Sequence, residues 1–256
     1  MSEVSERRRL SKQVSLISKF SRNEAEKLIH SGKVFVNGEK TKSATAFVSS
    51  EDKIEIRGEI LQKEPTEIKV IAFNKPRGFV VTKNDEKGRK TIYSILPKAF
   101  ANYIYVGRLD INTEGLILLT NSGKLAHELE SPQNGFEREY EVRVFGLVSD
   151  DKINRMQKGV TIDGLHYKAK TVFIKKRRTE DSRNTWLTVI LETGKNREVR
   201  NLMEFFNLKV NKLLRVRYAN ITLSGLPLGA YLELHRSKLA KVIELVEEKC
   251  KKELTF

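Results

Sequence analysis

VGRLDINTEGLILLTNSG, residues 106–123, sets two charged residues, Arg108 and Asp110, between two apolar runs that read as β-strands. The second run, LILLT at 116–120, is short and rich in branched residues, the mark of a buried strand, and NYIYVG at 102–107 precedes it. Charges between such runs do not belong to a core, so the pattern predicts that Asp110 is delivered to a strand end. Taken alone, an Arg-x-Asp pair there is more often a salt bridge across a turn. Gly107, Gly115 and Gly123 are read as turn or close-approach positions.

Outward from this stretch, strand signals recur at IKVIAF (68–73), EYEVRVFG (139–146), KAKTVFI (168–174) and TWLTVIL (185–191). Helices are expected at about 124–130, 196–206 and 238–252. The fold class is α+β with a mixed or antiparallel sheet. Basic residues concentrate between 165 and 217, where 14 Lys or Arg stand against 5 Asp or Glu, a surplus suited to a phosphate-lined groove. In the 196–206 helix, Arg197, Arg200 and Glu204 share one face, and Val199, Leu202, Met203 and Phe206 share the packing side.

Upstream lies a separate module. Residues 9–29 read as two short helices, with Leu10, Val14 and Ile17 on the first and Ala25, Leu28 and Ile29 on the second. Ser21 and Glu24 fit a capping box for the second helix, and Gly32 ends it. KVFVNGEK carries an Asn-Gly hairpin signal and DKIEIRG alternates as a strand. The polar EILQKEPTE with Pro65 reads as a linker, which gives domains of 1–62 and 63–256.

Bulk properties narrow the partners. The 256 residues include 48 Lys plus Arg and 33 Asp plus Glu, for a formal charge of +15, which attracts polyanions and nucleic acid first among them. No apolar run approaches the ~18 residues of a membrane span, and MSEVSERRRL lacks the apolar stretch of a signal peptide. A cytoplasmic protein with no membrane partner is expected. The single cysteine, Cys250, has no partner thiol, and His30, His127, His166 and His235 match no zinc spacing. With no Gly-rich phosphate loop either, chemistry without metal or cofactor is expected.

The N-terminal module resembles the alpha-L (S-four type) RNA-binding domain. The resemblance rests on Arg9-Leu10 with Lys12, Ser21-Arg22 with Glu24-Ala25, and Gly32 through Val34, Val36, Asn37 and Gly38. Ser18 replaces a usual glycine and Asn23 a usual arginine. The resemblance implies that Arg9, Lys12, Arg22, Lys27 and Lys33 track phosphates; a merely solvated face is the alternative. The second domain, in turn, resembles the catalytic domain of pseudouridine synthases, in the bacterial ribosomal RNA branch of the RsuA/RluB type. The opening stretch carries this, with NKPRG (74–78), REYEVRV (138–144) and GKNREVRNLMEFFN (194–207) following in the family's order. The resemblance makes Asp110 the catalytic aspartate, Tyr140 the aromatic that packs on uracil, Arg200 the cation paired with Asp110, and Arg108 the arginine that helps open the RNA stack. Lys195, Asn196 and Arg197 become substrate-binding residues. Thr193, Asn201 and ESPQN depart from the family pattern without touching Asp110, Tyr140 or Arg200.

The implied reaction breaks a ribose-to-nitrogen bond, rotates the base and rejoins it through carbon, which asks for an ionised carboxylate acting as nucleophile or base. An aspartate facing the first turns of the 196–206 helix would be kept anionic by the helix dipole and a charge-assisted arginine fork. The uridine must leave its stack, a cost of a few kcal/mol that stacking on Tyr140 and contact with Arg108 would offset in part. The implied substrate is ribosomal RNA or a ribosomal precursor particle, large subunit first and small subunit second, and the protein is expected to be a monomer. A non-catalytic RNA-binding assembly factor and a helix-turn-helix DNA-binding protein are the alternatives.

Overall fold

The computed structural model describes residues 7–18, 20, 22–49, 51–61, 67–176 and 184–253, and it divides into two compact units. The first comprises residues 1–69 with 102–104 and 120–125; the second holds the remainder. Ser21 and Pro65, the proposed cap and the linker proline, lie outside the described residues.

In the first unit, β1 (Arg8–Arg9) leads into α1 (Leu10–Ile17) and α2 (Arg22–His30). Leu10, Val14, Ala25 and Ile29 are fully buried between the helices, as the spacing predicts. α1 stops at Ser18, whose φ of −139° is extended rather than left-handed, so a serine fits where the family uses glycine. Its hydroxyl also accepts from the Phe20 amide at 3.2 Å. β2 (Val34–Val36) and β3 (Glu39–Thr41) form the expected hairpin, with Asn37 at φ 52° and Gly38 at φ 84°, both in the left-handed region that such a two-residue turn needs. Asn37 fixes it further: its side chain accepts from the Lys53 amide and donates to Asp52. β4 (Phe47–Val48) pairs with β1, and β5 (Ile54–Ile56) and β6 (Glu59–Ile60) complete a sheet ordered β3-β2-β5-β6.

The second unit is built on a nine-stranded mixed sheet. Its strands are β7 (Val70–Lys75), β8 (Ile104–Val106), β9 (Glu114–Thr120), β10 (Arg138–Phe145), β13 (Thr171–Lys176), β14 (Asn184–Leu191), β15 (Lys209–Tyr218), β16 (Ile221–Thr222) and β17 (Tyr231–Glu233). The main path runs β13-β14-β10-β15-β9-β7-β17, and β11 (Val160–Ile162) with β12 (Leu165–Tyr167) forms a separate hairpin. The helices are α3 (Gly123–Glu130), α4 (Asp150–Lys158), α5 (Glu198–Phe205) and α6 (Arg236–Glu253). None of the helices in the described residues is long and apolar enough to cross a membrane.

One glycine explains the middle of the sheet. β15 and β9 run parallel with Gly115 opposite Arg215, and a Cβ on Gly115 would lie 2.3 Å from the Arg215 carbonyl oxygen. Only glycine lets the two backbones approach this closely, and its φ of 108° is also one that side chains resist. Gly123 serves otherwise, as the first residue of α3.

Candidate active site

The loop between β8 and β9 carries the charged pair. Gly107 turns the chain at φ 65° and donates its amide to Glu130. Arg108 is exposed, Leu109 is buried, and Asp110 is one-third exposed at its side chain, 32%. Asp110 therefore sits in the loop, three residues short of β9, rather than on a strand end. The loop is closed by the Thr113 amide donating to the Asp110 carbonyl at 2.9 Å, and tied to the NKPRG segment by the Gly78 amide donating to Ile111 at 2.8 Å.

Two arginines meet the carboxylate. Arg200 Nε lies 3.6 Å and Arg197 Nη1 3.8 Å from Asp110 Oδ2. Both contacts fall on one oxygen beyond hydrogen-bond length, so the pairing is an ion pair with two cations and not the expected bidentate fork. The hydrogen-bonding edge of Arg200 is used elsewhere: its Nη2 donates to the Asn112 carbonyl at 3.1 Å and to Thr113 Oγ1 at 3.3 Å. Arg200 thus grips the loop that carries Asp110. Burial pushes its guanidinium below the usual range, Asp110 opposes that shift, and Arg197 and Arg77 add to it.

Helix α5 explains how both arginines arrive. It begins at Glu198, not 196, and Arg197 precedes it as the N-cap residue with a left-handed backbone at φ 50°. Glu198, 4% exposed, accepts from the Lys195 amide and the Thr193 hydroxyl, which folds the Gly194–Asn196 turn onto the helix start. Val199, Leu202, Met203 and Phe206 are buried as expected, leaving Arg200 on the side that faces Asp110. The positive end of the helix dipole adds to the arginine charges there.

The remaining expected residues are distributed less tightly. Tyr140 lies in the buried row of β10, 9% exposed, opposite Val189 and Arg215, and its hydroxyl has no hydrogen bond among the described residues. Lys195 donates to the His166 carbonyl and stands over the Tyr167 ring at 5.5 Å, while Asn196 is exposed and its carbonyl accepts from Asn201. Among the described residues, none of Lys195, Asn196 and Arg108 makes a hydrogen bond or ion pair with Asp110; the charge of Arg108 acts on Tyr105.

Lys75 was missed. It ends β7 and is fully buried, with its ammonium donating to the Pro76 carbonyl at 2.9 Å. Burial pulls its pKa down to about 8, against the raising influence of Asp110 and Glu114. A lysine that prolongs the apolar run IKVIAFN up to a proline was the available sign. In the first unit, Arg9, Arg22, Lys27 and Lys33 are exposed around the helix pair and Lys12 is half-buried; Arg22 pairs with Glu26 at 3.4 Å.

Comparisons with known proteins identify the family. Residues 69–205 match the RNA pseudouridylate synthase family, and residues 8–54 match the S4 domain. The chain is 40% identical over 233 residues to an uncharacterized RNA pseudouridine synthase of Rickettsia felis (strain ATCC VR-1525 / URRWXCal2), covering 91% of this chain and 99% of that protein. It is 41% identical over 233 residues to ribosomal large subunit pseudouridine synthase B of Escherichia coli (strain K12), covering 89% of this chain and 79% of that one. A crystal structure of a pseudouridylate synthase superposes with a TM-score of 0.63 at 28% identity, over 91% of this chain and 99% of that chain. With matches over nearly its whole length, the chain belongs to the RNA pseudouridylate synthase family and carries an S4 domain ahead of its synthase domain.

Proposed function

We propose that this chain isomerises a specific uridine to pseudouridine in large-subunit ribosomal RNA, with Asp110 as the reacting carboxylate. The observation that carries the reading is the ion pair of Asp110 with both Arg197 and Arg200 in a partly exposed loop. Both cations face the carboxylate that acts as nucleophile or base towards the sugar or the ring. Arg200 also holds the loop backbone, so the acid is kept in place while RNA arrives.

Tyr140 supplies the aromatic surface for the extruded uracil, and Arg108, exposed beside the acid, contacts the opened stack. Arg197, Lys195 and Asn196 line the approach and meet the backbone of the target. Because the reaction is an isomerisation, base and ribose leave with the atoms they brought, and no oxidant or group donor enters the balance. Arg9, Lys12, Arg22, Lys27 and Lys33 of the first module hold phosphates of the same RNA. We place the domain boundary at 62/63, and read the protein as a cytoplasmic monomer acting on ribosomal RNA or a precursor particle.

The test is pseudouridine mapping on unmodified large- and small-subunit ribosomal RNA transcripts treated with the wild-type chain and with Asp110→Asn. The amide is close in size and cannot act as an anion, so RNA affinity should persist while isomerisation is lost. Turnover by the Asn variant would refute the role of Asp110. Modification of the small-subunit transcript alone would move the target, and binding without modification by the wild type would make the protein an assembly factor.

A further inference from the structure

The main sheet has a second face that the active site does not use. Along β10, Tyr140, Val142 and Val144 are buried on one side, while Arg143 and Phe145 stand exposed on the other. On that other side Arg143 is the register partner of Trp186 on β14 and of Lys212 on β15, and Phe145 is the partner of Lys209. A half-buried indole, a phenylalanine that is 41% exposed and three cations therefore share neighbouring rows of this face.

Charge divides this face in two. At one end every glutamate is answered: Arg217 lies 3.0 Å from Glu137 and 2.9 Å from Glu139, Lys170 lies 2.8 Å from Glu137, and Lys175 pairs with Glu141. At the other end Lys212 meets Glu114 at 3.1 Å, but among the described residues Arg143 and Lys209 have no carboxylate partner. Two surplus cations beside an exposed phenylalanine and a half-buried indole suit a polyanion whose bases are unstacked, since a duplex would hide the base faces that an aromatic ring can stack on. The position is also apt. Glu114, which anchors the near edge through Lys212, is four residues from Asp110 and hence no more than about 14 Å away along the chain.

We propose that this face, centred on Trp186, Arg143 and Lys209, binds single-stranded RNA flanking the uridine taken by the active site. The proposal rests on the RNA substrate proposed above. Trp186 stacks on a base, and Arg143 and Lys209, on the next two strands, contact successive phosphates that lead away from it. The flank is thereby held on one side of the sheet while the target nucleotide turns to the other.

Trp186 is the single tryptophan of the chain, so its fluorescence reports this face alone. The full chain is titrated with oligouridylate and with an unmodified large-subunit ribosomal RNA transcript, with binding followed in parallel by mobility shift. Saturable quenching that salt reverses is expected. In Arg143→Glu/Lys209→Glu the quenching midpoint should move at least tenfold, and the slope of log affinity against log salt should fall by about 1.4, two contacts at about 0.7 each. The single-turnover rate at saturating transcript should stay within about twofold. Mobility shift without quenching, or quenching that the double variant leaves intact, overturns the proposal; so does equal quenching by polyglutamate, which would assign the face to a protein partner. Pseudouridine formation is assayed on the same transcript: quenching without formation removes the proposed reaction and leaves this surface standing, and formation without quenching does the reverse.

Discussion

Arg200 holds Asp110 at 3.6 Å through Nε while its Nη2 is committed to the carbonyl of Asn112 and the hydroxyl of Thr113, so one guanidinium carries both the charge and the position of the acid. Alanine and lysine separate the two contributions. Among the described residues Arg200→Ala leaves Arg197 as the one ion-pair partner of the carboxylate, at 52% side-chain exposure and 3.8 Å, where solvent screens it. Arg200→Lys keeps the charge but not the planar grip, so kcat should fall roughly ten- to a hundredfold, and Arg200→Ala, which loses both, should fall further. Equal losses in the two variants would make Arg200 a positioning residue only.

Tyr140 separates surface from hydroxyl. Its hydroxyl makes no hydrogen bond among the described residues and its ring lies in the buried row of β10. Tyr140→Phe should therefore keep thermal stability and RNA affinity within about twofold, whereas Tyr140→Ala should lose affinity and rate and destabilise the domain by about 3 kcal/mol through the cavity left behind. Equal kinetic effects from the two substitutions would assign the work to the hydroxyl instead.

Lys75 gives a stability signature in pH. Its folded pKa of about 8 lies below the ordinary 10.5, so between those values the unfolded chain binds a proton that the folded chain does not. Stability from this group should therefore rise with pH from about 8 to 10 and be flat below 8. Wild-type unfolding free energy minus that of Lys75→Met should show that rise, on the order of 2–3 kcal/mol, in denaturant titrations at several pH values. A difference that stays constant from pH 7 to 10 would mean that the ammonium keeps its ordinary affinity for a proton.

The sequence was most legible where one short stretch determines its own geometry. Asn37-Gly38 closes the β2–β3 hairpin because both residues adopt positive φ, and Tyr140, Val142 and Val144 alternate into the core as written. Strand β15 escaped because Lys209, Lys212, Arg215 and Arg217 interrupt any period of two. Two bulges against β10, at Glu139/Tyr140 and Arg143/Val144, shift which residues face inward, and Arg215 ends 2% exposed with Nε donating to the Leu116 carbonyl. That partner is contributed by another strand, beyond any local window. Helix α4 was missed for the opposite reason: in DDKINRMQK only Met156 is buried, so its start rests on the Ser149 cap rather than on an apolar stripe. In the site, residue identity was readable but contact geometry was not, since the left-handed cap at Arg197 and the shared oxygen of Asp110 depend on how the Gly194–Asn196 turn folds onto Glu198.

The first module is tested by charge without cutting the chain. Arg9, Lys27 and Lys33 are exposed, have no side-chain ion pair among the described residues and stand outside the module's apolar core, so alanine at all three should leave the fold intact. If each cation meets a phosphate, the triple variant should lose about 0.7 to 0.9 from the salt slope per contact, or about 2 to 3 in all. The arginines that pair with Asp110 among the described residues belong to the second unit, so the defect belongs in apparent affinity and not in the single-turnover rate at saturation. Large folded transcripts should suffer more than short fragments, because a short fragment that fills the synthase domain has little length left to reach a second domain. Titration of ribosomal RNA transcripts at several salt concentrations reads both quantities. An unchanged slope would reject phosphate contact by these three residues and leave the module as a protein-contact or folding element.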